Sequence, residues 1–306
     1  MNSKNIKKVL RKKLNDWISC IEDEDIAKVV KENAIITGGA IVSLLNGEPA
    51  NDFDVYFKTK EACEAVAKYY ATQWNESHKQ GPKVEVLDGE KQFVDGKIKL
   101  VNNGRITCFI RSTGIAIEEG ESAIDDDSEP IEEMDDQFVE ETINEEKPKY
   151  KPRYFSTNAI SLSDKIQLVI RFYGSVEEIH ENYDFVHCTC SYDFKNDAIN
   201  LPNEALECIL NKELRYIGSK YPLCSIIRTR KFISRGWHIN AGQYVKMALQ
   251  LDDLNLKDFN TFKDQLVGVD SAYFAQAIEQ IEKKKEKDPM FELDNTYLFT
   301  VINRIF

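Results

Sequence analysis

Residues Ile35–Phe57 read Ile-Ile-Thr-Gly-Gly-Ala-Ile-Val-Ser-Leu-Leu-Asn-Gly-Glu-Pro-Ala-Asn-Asp-Phe-Asp-Val-Tyr-Phe. Ala34-Ile35-Ile36 is a short apolar strand that stops at Gly38-Gly39. Glycine lacks a Cβ, so the backbone there can turn sharply and come close to a ligand. Ala40 to Leu45 can form one or two helical turns, whose leading N–H groups and positive dipole end suit a triphosphate. Gly47 to Asn51 is a turn. Asp52 to Lys58 then alternates acid and apolar side chains as a strand does. Asp52 and Asp54 are two residues apart, so their carboxylates share a face, while Phe53 and Val55 point into the core. Two hard oxygen ligands side by side are what Mg²⁺ bridging phosphates requires. An Asp-x-Asp alone is common on exposed strands; one that follows a Gly-Gly turn and a short helix is far more specific.

Working outward, residues 5–33 carry Leu10, Leu14, Trp17 and Ile18, then Ile26, Val29 and Val30, at helical spacing. Residues 61–74 predict a helix, and 83–87, 93–101 and 105–110 short strands between Gly and Asn turns. Residues 159–162 and 166–172 are strand-like. Ser175 to Asn182 predicts a short helix with Ser175 as cap and Glu178 three residues on. Tyr183 to Cys190 reads as a strand hairpinned to 193–201. From residue 203 the signals are helical, over 203–211, 222–234, 241–250, 257–266 and 270–285, with a last helix near 293–305. The expected fold is α+β: helices over 1–33, a small mixed sheet within 34–201, and a helical domain over 202–306.

The 306 residues, 42% hydrophobic, suffice for two such domains. The formal net charge of −12 is concentrated, because Glu118 to Glu146 hold fifteen Asp and Glu and no Lys or Arg. The rest of the chain is therefore mildly basic and compatible with a phosphate-bearing substrate. The segment 118–147 reads as a mobile acidic insertion, either a solvated loop or a polyanion that occupies a basic groove when substrate is absent. Apolar runs such as Ile166–Ile170 are far short of the roughly 20 residues that span a bilayer. The basic N-terminus has no apolar stretch of the secretory type. Seven scattered cysteines form no CxxC pair, and Cys188-Thr-Cys190 is their only close spacing. These features predict a cytoplasmic protein with reduced thiols, and exclude a disulfide scaffold and a zinc ribbon.

The order of Gly-Gly turn, short helix and Asp-x-Asp strand resembles the nucleotidyltransferase superfamily that includes DNA polymerase β, poly(A) polymerases and CCA-adding enzymes. The run Asn158-Ala-Ile, then Ile166 to Ile179, then Tyr183-Asp-Phe resembles nucleotidyltransferase-like proteins of viruses, phages and fungi. The resemblance covers about 35–235. It implies attack of a hydroxyl on the α-phosphate of a nucleoside triphosphate, release of pyrophosphate, and Mg²⁺ or Mn²⁺ as cofactor. Asp52 and Asp54 would be metal ligands, with a third carboxylate on a neighbouring strand. Asp164, Asp184 and Asp193 are candidates for that third position, and Asp184, in the Phe-Asp-type strand, is preferred. Gly38 and Gly39 would meet the phosphates.

Two departures narrow the kinship. No Arg-Arg-Asp-Phe-Thr motif follows, as bacterial CCA-adding enzymes have. No Gly-Ser replaces Gly38-Gly39, as in eukaryotic poly(A) polymerases. Arg171, alternating with Ile170 and Phe172, is a candidate nucleotide contact. Arg228 and Lys231 share a helical face in Arg228-Thr-Arg-Lys-Phe-Ile-Ser-Arg235-Gly-Trp237, and read as a grip on nucleotide phosphates or an RNA acceptor or else as a solvated face over a buried Trp237. The other readings of the chain are a nucleotide- or RNA-binding module of the same fold without turnover, and a virion-associated structural protein.

Overall fold

The computed structural model describes residues 2–79, 81, 83–94, 97–110, 116–117, 149–256 and 258–266. The acidic segment 118–147 and the helices expected over 270–285 and 293–305 lie outside the described residues. By contact the described residues divide into two compact units: those up to Asn182 and His187–Ile209 form the first, and Tyr183–Val186 and those from Leu210 to Leu266 the second.

In the first unit, α1 (Ser3–Ile18) begins where the Asn2 side chain accepts from the Asn5 N–H, and buries the stripe Ile6, Leu10, Leu14, Trp17 and Ile18. Its indole N–H donates to the Tyr70 hydroxyl at 2.7 Å, so the helix is fixed by a buried polar contact as well as by packing. α2 (Glu24–Asn33) starts at Asp23, whose carboxylate accepts from the N–H groups of Asp25 and Ile26. It runs directly into β1 (Ala34–Thr37), buried along its whole length. α3 (Gly39–Asn46) follows, then β2 (Phe53–Phe57) and α4 (Lys60–Ser77). α4 exceeds the expected 61–74 because Thr59 caps its first turn from outside the apolar pattern.

The three short strands expected over 83–110 merge into a two-stranded antiparallel ribbon, β3 (Val84–Val94) with β4 (Lys97–Ile110). The main sheet is completed by β5 (Ala116–Ile117), β6 (Pro152–Phe155), β7 (Ala159–Leu162), β8 (Ile166–Tyr173), β9 (Ser191–Asp193) and β10 (Ala198–Asn200). Its order is β10-β9-β1-β2-β8-β7-β6-β5, with β2 and β8 parallel and the other pairs antiparallel. It is thus a mixed sheet, as expected, but at eight strands larger than expected. The helix expected at Ser175–Asn182 is α5 (Val176–His180), with Ser175 and Glu178 forming a reciprocal capping box.

Register sorts the sheet into rows. Ile199, Tyr192, Ile36, Val55, Leu168, Ile160 and Phe155 lie side by side across seven strands. One residue along, Asn200 pairs with Ser191, Ser191 with Thr37, Asp54 with Gln167, Gln167 with Ser161 and Ser161 with Tyr154. Continuing the β1–β2 ladder past Ile36 and Val55 sets Thr37 opposite Asp54. An apolar row packs the core while the next row, on the opposite face, is polar throughout.

The segment Tyr183–Cys190, which belongs to the second unit up to Val186 and to the first from His187, is not the expected strand. Phe185 makes one bridge with Tyr216, the Val186 N–H donates to Arg215 O, and Ile217 N–H to Asp184 O. Val186–Cys188 is a single 3₁₀ turn. The alternation there came from a segment pinned by residues 215–217 rather than by the sheet. The helix α6 (Asn203–Asn211), which lies in the first unit up to Ile209, and the second unit's α7 (Pro222–Ser234), α8 (Ala241–Asp252) and α9 (Phe259–Leu266) match the expected spans closely. None of the seven cysteines forms a disulfide, and only Cys20 is exposed. Among the described residues no helix is long and apolar enough to cross a membrane.

Candidate nucleotide-binding site

The stretch that decides the fold also builds the site. Gly38 has φ 95° and ψ −146°, a backbone state that side-chain-bearing residues rarely adopt, so the chain can leave β1 and enter α3 in one step only with glycine there. No side chain caps the first turn of α3. Gly39 is exposed, and a Cβ added to it would meet nothing within 4 Å. The protein's own packing therefore does not require glycine at 39; the space in front of it is open for a ligand. An uncapped helix start of this kind presents N–H groups to an anion.

Asp52 is exposed just before β2, and Asp54 is half-buried on it. The Phe53 N–H donates to Lys165 O at 2.8 Å, which ties the acid strand to the β7–β8 turn. On the parallel neighbour β8 the residue opposite Asp54 is Gln167, not an acid. Among the described residues no group of three or more His, Cys, Asp or Glu is placed to hold a metal ion. The pair Asp52 and Asp54 still suits one Mg²⁺ shared with a nucleotide, since Mg²⁺ is commonly bound by one or two carboxylates together with phosphate oxygens and water.

The three candidates for a third carboxylate have separate surroundings. Asp184 belongs to the second unit and is buried, its carboxylate 3.3 Å from the guanidinium of Arg228. Asp164 lies in the β7–β8 turn at φ 60° and accepts from the Tyr150 N–H at 3.3 Å. Asp193, on β9, meets Lys58 Nζ at 2.7 Å and Asn196 Nδ2 at 2.6 Å. Burial pushes the Asp193 carboxyl up, but these hydrogen bonds outweigh it and hold the group below the usual carboxylate range.

The basic candidates divide as well. Arg171 is buried rather than facing open space, and its Nη1 donates to Asn158 Oδ1 at 3.0 Å. Arg228 is part-exposed on α7, and Lys231 is exposed one turn on. Trp237 is buried against Phe232, with ring centroids 6.2 Å apart, so it is core rather than a stacking platform. Thr37 and Gln167, which flank Asp54 in the polar row, carried no signal in the sequence beyond their place beside the glycines and in the Gln-Arg strand.

Residues 8–212 match the family described as Gad2: Gabija anti-defense 2 family protein. The chain belongs to the Gabija anti-defense 2 family. Within it, a protein of Bacillus phage SPbetaL7 named "Gabija anti-defense 2" is 22% identical over 274 residues, covering 88% of this chain and 49% of that protein. The chain thus spans about half the length of that curated relative. The phage relative agrees with the resemblance to phage nucleotidyltransferase-like proteins drawn from residues 35–57 and 158–193. Among solved structures, the chain is similar to the CCA-adding enzyme of Bacillus stearothermophilus in complex with CTP, at 15% identity and a TM-score of 0.37, covering 83% of this chain and 50% of that one. It is also similar to the Thermotoga maritima CCA-adding enzyme complexed with tRNA, at 11% identity and a TM-score of 0.39, covering 92% and 57%. The family match includes β1, α3 and β2, and so the whole glycine turn and acid pair.

Proposed function

We propose that this chain transfers a nucleoside monophosphate from a nucleoside triphosphate to a hydroxyl acceptor and releases pyrophosphate. The observation that supports this reading best is the open, uncapped start of α3 at Gly39, on the same strand–turn–helix–strand unit as Asp52 and Asp54. In this reading the first N–H groups of α3 hold phosphate oxygens. Asp52 and Asp54 would hold Mg²⁺ or Mn²⁺, which polarises the phosphoryl group and lowers the pKa of the attacking hydroxyl. The roles the sequence suggests for Asp184, as third acid, and for Arg228 and Lys231, on phosphate, would both require Arg228 to release Asp184. The relative's name assigns it an anti-defense role, and we assign this chain the same setting: nucleotide chemistry by a phage protein in the cytoplasm of an infected host, with an RNA end, a protein side chain or a small molecule as acceptor.

A second reading, a nucleotide- or RNA-binding module without turnover, is favoured by two observations. Gln167 stands where the neighbouring strand would carry an acid, and the Asp184 carboxylate is engaged by Arg228. One experiment separates the two. The protein is incubated with each of the four NTPs, Mg²⁺ or Mn²⁺ and total RNA, and both RNA and protein are then weighed by mass spectrometry. An added nucleoside monophosphate on either supports transfer. Nucleotide binding with no added mass and no pyrophosphate supports the module.

A further inference from the structure

Thr37 is the last residue of β1, fully buried, and the residue immediately before Gly38. Its Oγ1 lies 2.9 Å from Cys190 O and 2.7 Å from His180 Nε2. A hydroxyl has one proton and a carbonyl oxygen can only accept, so the Thr37 proton goes to Cys190. The Thr37 oxygen must then accept from His180, which sets the imidazole as the Nε2–H form. Burial lowers the His180 pKa, against a smaller opposing effect of Glu177, so the ring is neutral near pH 7. His180 is itself anchored. It ends α5, whose start carries the Ser175–Glu178 capping box, and the Gly174 N–H just before donates to Phe57 O at the end of β2.

The chain of contacts His180–Thr37–Cys190 therefore ties the end of β1 to α5 on one side and to the approach to β9 on the other. Thr37 is joined through Gly38 to the first N–H groups of α3, and by register it stands opposite Asp54. A displacement of Thr37 moves the glycine turn relative to the acid strand. We propose that His180 is a positioning residue which, through Thr37, holds the Gly38-Gly39 turn in the orientation that receives phosphate. This deepens the transfer reading and rests on its claim that the turn binds phosphate.

The test uses the full chain and inorganic tripolyphosphate with Mg²⁺, a probe that needs neither the correct base nor turnover. Thr37→Val and His180→Leu, each checked for folding by circular dichroism, are expected to weaken binding at least about 10-fold, because small errors in donor placement are costly. Thr37→Ser and His180→Gln, which keep an acceptor and a donor in place, are expected to stay within about 3-fold of wild type. The Thr37→Val/His180→Leu double variant should lose no more than Thr37→Val alone, since that substitution already breaks the His180 contact. Additive losses, or single variants that bind as wild type does, overturn the proposal. A wild-type chain that does not bind tripolyphosphate removes the transfer reading, and this inference with it. Should the apolar variants fail to fold, the ¹⁵N shifts of His180 in the unaltered protein decide: the Nε2–H tautomer supports the contact, and Nδ1–H overturns it.

Discussion

Asp54 and Asp184 are the same residue type in opposite settings. Asp54 sits half-buried in a polar row, beside Thr37 and Gln167, a short turn away from an open helix start. Asp184 sits with its side chain 5% exposed against an arginine in the second unit. A carboxylate buried beside a guanidinium serves stability first, because removing either partner strands the other charge. A carboxylate at the edge of an open, N–H-rich turn is, in the transfer reading proposed above, placed for a ligand. The difference shows that an acid's place in a motif is weaker evidence of chemistry than what surrounds it in the fold. It yields tests in which stability and activity are expected to part company.

The largest effect is expected at the acid pair. Asp52→Asn with Asp54→Asn should lower nucleotidyl transfer by at least about 100-fold, since two ligands worth several kcal/mol are lost. Stability should change by less than about 1 kcal/mol, because Asp52 is exposed and Asn keeps hydrogen-bonding capacity. Urea melts alongside label incorporation measure both. At Asp184 the order reverses. Asp184→Ala should cost about 1–3 kcal/mol, less than a fully buried pair would because Arg228 is 31% exposed. It should appear as a lower urea midpoint with an unchanged slope. Transfer by the folded fraction would then be preserved if Asp184 is a structural partner. An Asp184→Ala protein as stable as wild type but inactive would break the comparison and make Asp184 the third acid.

Legibility followed locality. The strand, glycine turn, helix and acid strand of 34–57 could be read because each signal lies within a few residues of the next. The helices of the second unit were legible for the same reason. The polar row was not, because Thr37, Asp54 and Gln167 meet only through register between strands far apart in the chain. His180 looked isolated in the sequence because its partner is 143 residues away. Tyr183–Cys190 alternates as a strand would, yet its backbone partners are residues 215–217, which no local pattern announces. Arg171 alternates with apolar neighbours but is turned inward onto Asn158.

Asp193 gives a pH-dependent version of the Asp184 test. Its folded pKa lies below the unfolded value, because the Lys58 and Asn196 hydrogen bonds outweigh burial. The stability it contributes is therefore full above the unfolded pKa of about 3.9 and disappears as pH falls through the folded value. Lys58→Met should lower stability by about 0.5–1 kcal/mol at pH 6, the usual range for a part-buried ion pair. The gap between the two proteins in urea melts should shrink as pH falls below the unfolded pKa and close once pH has passed the lower, folded value. A gap that persists at low pH would show that Lys58 acts through its aliphatic stem.

The smallest effect, and the one of opposite sign, is expected at Asp164. Asp164 and Lys165 have φ 60° and 62°, consecutive left-handed residues joining β7 to β8. The connection runs over three residues, Ser163 to Lys165, because Leu162 pairs with Ile166; Asn tolerates the left-handed state and Gly enters it without strain, whereas Lys at 165 is strained there. Asp164→Asn with Lys165→Gly should therefore stabilise the protein by about 0.5–1 kcal/mol, provided the fit at the turn outweighs the added freedom of the unfolded chain. The substituted amide can still accept from the Tyr150 N–H, as the Asp164 carboxylate does, and position 165 keeps the carbonyl that receives the Phe53 N–H. The acid strand should stay in place and transfer should be unchanged. If the doubly substituted protein is more stable but no longer transfers, the turn rather than the loop before the 3₁₀ segment supplies the third carboxylate. The single variant Lys165→Gly then separates loss of the acid from loss of the lysine, because it keeps Asp164 and should retain activity if the acid is what matters.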